Sequence, residues 1–125
     1  MIEGYAPYRP LLELLLERFE TGEVQPVTSA LTLAEVLVKP LRDQARELVE
    51  TYYRHLMVSP AIELAEISTS VLWESARIRA SSGARLYDAI HVATARLREC
   101  GTFLTNDHAL RVVCPDFCVI LDNWI

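Results

Sequence analysis

The sequence has few cysteines and no long apolar run, and each shortage excludes a class of protein. Cys100, Cys114 and Cys118 are an odd number without a C-x-x-C pair. Together with scattered histidines, they build neither a disulfide framework nor a four-ligand zinc site. Nowhere do about 18 apolar residues run together, and the first residues lack a basic segment followed by an apolar one. We therefore expect reduced thiols and a cytoplasmic protein without a membrane span.

Positive charge is also scarce. The chain carries 12 basic residues against 17 acidic ones, for a net charge of −5. This balance disfavours a protein that binds nucleic acid through bulk charge, although a local basic patch stays open. Lys39 is the single lysine, and the other basic residues are arginines, whose planar guanidinium suits phosphate contacts.

No repeat, low-complexity tract or linker divides the 125 residues, of which 51% are hydrophobic. We therefore interpret residues 1–125 as a single domain with its own core.

A flavodoxin-like phosphate or response-regulator domain is disfavoured, because the chain has no Gly-rich phosphate loop with a suitably placed lysine.

Short apolar segments alternate with helical patterns along the chain. Strands are predicted at residues 24–29, 56–59, 102–105 and 118–121. Helices are predicted from Pro10 to a stop at Gly22, from near Thr32 to Pro40, at residues 42–54, at residues 62–80 before Gly83, and from Leu86 to a cap at Gly101, with a short turn at residues 108–112. Strands separated by helices imply a parallel sheet covered on both faces. The predicted fold class is therefore α/β, a three-layer α/β/α domain with a mainly parallel sheet of about four strands.

Three carboxylates, Glu35, Asp88 and Asp107, each fall within one turn of a predicted helix start. Ligand sites of open parallel sheets lie outside the carboxyl ends of the strands, where the following helices begin. If the three carboxylates converge there, a divalent cation is the natural means of keeping them ionised together. Hard oxygen ligands favour Mg²⁺ or Mn²⁺, which could promote attack of a bound water on phosphorus.

Each acid also has a structural interpretation. Glu35 could close a capping box with Thr32. Asp88 could interact with the helix macrodipole and face solvent, since it lies nearly opposite the apolar stripe of Leu86, Ile90, Ala93 and Leu97. Asp107 could serve as the N-cap of the following turn.

Other side chains have similarly open assignments. His91, three residues after Asp88, could tune the site or simply be packed. Arg77, Arg79 and Arg85 could form a phosphate-contacting rim or a solvated helix end. Trp73 could stack on RNA bases or belong to the core or an interface.

Three runs of the sequence resemble the second, third and fourth motif blocks of PIN domains. They are residues 27–37 (VTSALTLAEVL), residues 85–95 (RLYDAIHVATA) and residues 103–107 (FLTND). Their order and separation also match those of the family, from residue 27 to residue 107. The resemblance is strongest to the small VapC-like ribonuclease toxins of bacterial toxin–antitoxin pairs.

This resemblance implies a metal-dependent endoribonuclease. Glu35, Asp88 and Asp107 would be the acidic ligands of Mg²⁺ or Mn²⁺, with Thr105 and Asn106 supporting them. The substrate would be RNA, and an antitoxin protein would be a partner.

One motif block of these PIN domains has no counterpart here. The family begins with a central hydrophobic strand that ends in a metal-binding Asp, whereas residues 1–4 resemble the helix that follows that strand. Relative to the family, the single domain is thus truncated at its amino terminus. Either the start codon was assigned too late or the shorter chain is the real product, and codons upstream of Met1 would distinguish the two.

Loss of the first strand and its Asp has two expected consequences. Exposed strand edges and apolar surface would favour a homodimer. Activity would be impaired, so the alternative to the nuclease is a catalytically inactive PIN-like protein-interaction module.

Overall fold

The structure is a computed structural model that describes residues 17–18, 20–105, 113 and 118–120. Its elements follow one another as β1 (Val27–Ser29), α1 (Leu31–Arg42), α2 (Arg46–Tyr53), a π-helical turn (Arg54–Val58), β2 (Glu63–Ala65), α3 (Thr69–Ser82), α4 (Leu86–Leu97), β3 (Phe103–Thr105) and β4 (Cys118–Ile120). Residues 17–18 and 20–21 are helical, and Gly22 follows with a φ of 81°. The predicted helix end at Gly22 is confirmed, whereas its start at Pro10 and the turn at residues 108–112 lie outside the described residues.

The four strands of the described residues form two parallel pairs. β1 pairs with β2 in the register Val27 to Glu63 and Ser29 to Ala65. β3 pairs with β4 in the register Phe103 to Cys118 and Thr105 to Ile120. Helices separate β1 from β2, as a parallel pair requires. The prediction of an α/β fold with parallel strands is confirmed.

The predicted strand at residues 56–59 is wrong. The chain there continues α2 as a wide π-helical turn, in which the Ser59 amide donates to the Arg54 carbonyl at 2.8 Å. This turn buries Leu56 to 3% exposure and leaves Met57 and Val58 more than half exposed. The strand instead forms at Glu63–Ala65, where Ala65 is buried and its carbonyl accepts from the Ala30 amide. Burial of one side chain and pairing with β1 therefore override the local apolar pattern.

Pro40 does not end α1, contrary to the prediction. It is buried inside the helix, which continues to Arg42. The helix ends where Gln44 adopts a φ of 55°, with the Gln44 amide donating to Leu41 and the Ala45 amide donating to the carbonyl of Pro40. This pair of bonds is a Schellman motif. Proline removes one amide donor near the helix end, and the carbonyl that it retains accepts one of the capping bonds.

The end of α4 has the same motif, and Gly101 is not its cap. Glu99 takes the left-handed conformation with a φ of 55°. Its amide donates to the Arg96 carbonyl, and the Cys100 amide donates to the Ala95 carbonyl. The predicted cap at Gly101 is therefore wrong by two residues, because a non-glycine residue occupies the left-handed position.

Helix α3 begins later than predicted and ends as predicted. Its first residue is Thr69, and the hydroxyl of Ser68 accepts from the Val71 amide at 3.2 Å as an N-cap. Gly83 follows the helix and adopts the left-handed conformation, with a φ of 71°. Residues 62–68 are thus excluded from the helix, because three of them pair with β1 as β2.

Replacing Gly83 by Ala should lower the free energy of unfolding by about 1 kcal/mol, since a Cβ is disfavoured at positive φ. Apart from the two neighbouring residues, no atom of the described part of the chain lies within 4 Å of the Cβ that would be added, so the expected cost comes from the backbone conformation. Gly101 is the matched control, because an added Cβ there also meets nothing and its φ is not positive. Urea denaturation of Gly83→Ala and Gly101→Ala measures the difference. Equal effects of the two substitutions would refute this explanation.

Helix α4 lies at the centre of the described core. Ala89, Val92 and Ala93 are fully buried, and they pack with Val71 and Ile78 of α3. The middle of α4 is buried on nearly all sides, whereas the ends of the predicted apolar stripe, Leu86 and Leu97, are 47% and 46% exposed. The prediction of a single buried stripe is therefore right for its middle only.

Two hydroxyl groups are buried, one on α3 and one on α4. Ser75 donates to the Val71 carbonyl, and Thr94 donates to the Ile90 carbonyl, both at 2.8 Å. Within the described residues, no buried side-chain nitrogen or oxygen lacks a hydrogen bond. The burial of these two hydroxyl groups is therefore compensated by hydrogen bonds within their own helices.

No helix among the described residues has the length and apolarity needed to cross a membrane.

Candidate functional site

Glu35 lies on the second turn of α1, and its carboxylate does not cap that helix. The hydroxyl of its predicted capping-box partner, Thr32, is hydrogen-bonded to the hydroxyl of Thr28 at 2.7 Å. The hydroxyl of Ser29 accepts from the amide of Leu31 at 3.1 Å and satisfies one donor at the helix start. The capping-box interpretation of Glu35 is therefore wrong, which leaves its carboxylate available for another role.

The carboxylate of Glu35 contacts His91 of α4. Oε1 of Glu35 lies 2.6 Å from Nε2 of His91, and the two residues are 56 positions apart in the chain. The side chains are 40% and 22% exposed, respectively. Neither residue's pattern in the sequence indicates this contact. The one signal was the position of His91 three residues after Asp88, on the same side of a helix.

Asp88 lies in the first turn of α4 and is only 18% exposed. Its Oδ2 accepts from Nε of Arg85 at 3.0 Å. The negative charge also interacts favourably with the amino-terminal end of the helix. The solvent-facing interpretation is therefore wrong, and the macrodipole interpretation is consistent with the structure.

Asp88 and His91 are one helical turn apart on the same side of α4. Since His91 contacts Glu35, two of the three candidate acids, Glu35 and Asp88, belong to the region where α1 meets α4. β1 runs directly into α1, and Phe103 of β3 packs against the core cluster of α4. The carboxyl end of β1 therefore leads into the helix that carries Glu35, and β3 begins beside the core to which α4 belongs.

Asp107 and Asn106 lie outside the described residues, and Thr105 is the last residue of β3. Within the part of the chain that the structure describes, no three side chains of His, Cys, Asp or Glu are grouped so as to hold a metal. The chemistry of the described donors nevertheless fits a hard divalent cation, because Glu35 and Asp88 offer carboxylate oxygens. A complete set of three acids would require Asp107.

The three arginines that precede Asp88 all have partners within the chain. Arg85 binds Asp88, Arg79 donates to the Ala84 carbonyl at 3.2 Å, and Arg77 binds Glu74 at 3.3 Å. Arg77 and Arg85 remain about three-quarters exposed. Exposed ion pairs of this kind contribute little to stability, so their guanidinium groups can exchange partners at low cost.

Trp73 lies on the outer face of α3. Its side chain is 66% exposed, so its interpretation as a core residue is wrong. Arg77 follows it one turn later on the same face. An interface or a stacking role for Trp73 therefore stays open.

Cys100 follows α4 and is partly buried. Burial raises the pKa of its thiol above the ordinary value, the nearby Glu63 carboxylate raises it further, and the Arg98 guanidinium opposes both effects. A thiol that stays protonated at neutral pH is a poor nucleophile and a poor metal ligand. Thiolate chemistry at Cys100 is therefore disfavoured.

The model of the PIN domain family matches residues 7–114 of the chain. No curated protein sequence matches it significantly. Among solved structures, the chain is similar to a chain of a toxin–antitoxin complex from Klebsiella pneumoniae, with a TM-score of 0.62 and 20% sequence identity. The similarity covers 89% of this chain and 91% of the other. At this identity, the similarity establishes the shared fold.

Proposed function

The chain belongs to the PIN domain family, and from that premise we propose that it is a metal-dependent endoribonuclease of the VapC-like type. PIN domains are in general divalent-metal-dependent nucleases. Glu35, Asp88 and Asp107 would hold Mg²⁺ or Mn²⁺, and Thr105 and Asn106 would support them. The observation that supports this proposal is that Glu35 of α1 contacts His91 of α4 and does not cap its own helix, and His91 lies one helical turn after Asp88.

The chemistry of the donor groups supports phosphodiester hydrolysis. A divalent cation, when bound, supplies a Lewis acid for a phosphoryl oxygen and a bound water of lowered pKa. Glu35 and Asp88 would contribute carboxylate oxygens from two helices that pack together. Arg85 is 76% exposed beside Asp88, and its guanidinium would exchange Asp88 for a backbone phosphate of the RNA as its ion-pair partner.

The proposed biological setting is a toxin–antitoxin pair in the cytoplasm. The structural neighbour from Klebsiella pneumoniae belongs to a toxin–antitoxin complex, which supports an antitoxin protein as the partner. We propose in addition that the chain forms a homodimer. Exposed apolar side chains on α1, α2 and the π-helical turn, among them Leu41, Tyr53 and Val58, support an interface with a protein.

Titration of Mn²⁺ into the metal-stripped chain tests the metal site. Calorimetry should detect binding by the wild type, and the double variant Glu35→Gln, Asp88→Asn should bind at least about 100-fold more weakly, because it loses both charged ligands. The matched control is the double variant Glu66→Gln, Asp43→Asn, which removes the same charge from two exposed acids. Equal weakening by the control would mean that Mn²⁺ responds to net charge, and the proposed site would be rejected.

A catalytically inactive interaction module is the second candidate. This candidate is favoured because Glu35 and Asp88 already have partners within the chain. Glu35 contacts His91, and Asp88 contacts Arg85. If the wild-type chain binds no Mn²⁺, the nuclease proposal fails and the interaction module becomes the better account.

A further inference from the structure

The Glu35–His91 contact joins a candidate ligand on one helix to an imidazole on another. Oε1 of Glu35 lies 2.6 Å from Nε2 of His91, a short distance typical of a strong hydrogen bond. The contact involves one oxygen of the carboxylate, so Oε2 is left for another partner. At 40% exposure, the Glu35 side chain is also accessible from solvent.

We propose that His91 is a positioning residue for the metal site: its Nε2–H donates to Oε1 of Glu35 and holds the carboxylate in one orientation, which would leave Oε2 for the cation. This inference rests on the proposed function, since it assumes that Glu35 is a metal ligand. It adds a residue outside the three acids and assigns it a role that is exercised through Glu35.

The two helices differ in how firmly they hold their side chains. Glu35 has three rotatable bonds on an exposed face of α1, and ordering such a side chain costs conformational entropy. His91 lies between Ile90 and Val92, which are 5% and 0% exposed, in the most buried helix described. The imidazole, which is 22% exposed, is therefore the less accessible partner, and its hydrogen bond restricts the more exposed Glu35 carboxylate. Hydrogen bonds that orient ligating groups in this way commonly raise metal affinity.

Direct ligation by His91 is the competing role. An imidazole nitrogen is a better ligand for Mn²⁺, a transition-metal ion, than for Mg²⁺, which binds almost exclusively through oxygen. Loss of a nitrogen ligand would therefore weaken Mn²⁺ more than Mg²⁺. Loss of a positioning hydrogen bond would lower the affinity for both cations by the same factor, because the binding of both depends on the orientation of Glu35.

The test is calorimetric titration of Mn²⁺ and of Mg²⁺ into metal-stripped variants of the full chain. His91→Phe keeps a planar ring and removes the hydrogen-bond donor, so it should lower the affinity for both cations by about 10-fold. His91→Gln keeps an N–H donor and should restore affinity to within about 3-fold of the wild type. His55→Phe, at an exposed histidine of the π-helical turn, is the matched control and should have no effect.

A mutant cycle separates positioning from a general structural role. In the Glu35→Gln background, His91→Phe should change Mn²⁺ affinity by less than about 2-fold, because the carboxylate that it orients is gone. An equal loss in both backgrounds would overturn the proposal, as would unchanged affinity of His91→Phe or a larger loss for Mn²⁺ than for Mg²⁺.

The proposal and the metal site on which it rests fail in different ways. If Glu35→Gln weakens Mn²⁺ binding and His91→Phe does not, the positioning role is rejected and the metal site stands. If Glu35→Gln leaves Mn²⁺ binding unchanged, or the wild type binds neither cation, both are rejected.

Discussion

Replacing Asp88 by Asn should lower the rate of RNA cleavage by roughly 100-fold or more. A metal ligand at a phosphoryl-transfer site stabilises the transition state by several kcal/mol, and about 1.4 kcal/mol corresponds to each factor of 10. Asn keeps the shape of the side chain and an oxygen that can accept from Arg85, but it removes the negative charge. The measurement is cleavage of a panel of labelled single-stranded and hairpin RNAs in the presence of Mn²⁺.

The fold should survive the Asp88→Asn substitution. The ion pair with Arg85 is largely exposed on the arginine side, and the macrodipole interaction of Asp88 contributes about 0.3–1 kcal/mol. The circular dichroism spectrum should therefore match that of the wild type. Asp43→Asn, at an exposed position after α1, is the matched control and should cleave normally. Unchanged cleavage by Asp88→Asn would place the nuclease activity elsewhere or in a contaminant.

Replacing Ile78 by Ala should lower the free energy of unfolding by about 3 kcal/mol. Ile78 is 3% exposed on α3 and packs in the cluster with Ala89 and Val92 of α4. The small residues of α4 bring the two helices close together, so the space left by the larger side chain cannot be filled by a rotamer change of its neighbours. Urea denaturation followed by circular dichroism measures the loss.

Ile67 provides the comparison for Ile78. It is 37% exposed and lies between β2 and α3, so Ile67→Ala should cost less than about 1 kcal/mol. The same atoms are removed at both positions, and only the burial differs. If the two variants differ by less than about 1 kcal/mol, the interface of α3 and α4 is not the principal source of stability.

The sequence predicted only part of the candidate site. Glu35 and Asp88 were identifiable because the motif runs around them resemble those of PIN domains, whereas each acid taken singly also had a structural interpretation. The partner of Glu35 was not identifiable, because a contact between residues 56 positions apart depends on how α1 packs on α4. Asp107 stays a prediction, since it lies outside the described residues.

The sequence by itself determined the family, the alternation of strands and helices, and the positions of β1, α4, β3 and β4. These features depend on local periodicity and on residues such as Gly83, whose conformational freedom acts within one turn. Only the tertiary structure decided where β2 forms, how the chain turns at Leu56, and which residues take the left-handed positions after α1 and α4. The first two depend on burial or strand pairing with residues distant in the chain, and those energies exceed the local preferences of the segments involved. The left-handed positions are fixed by the capping hydrogen bonds at the end of each helix.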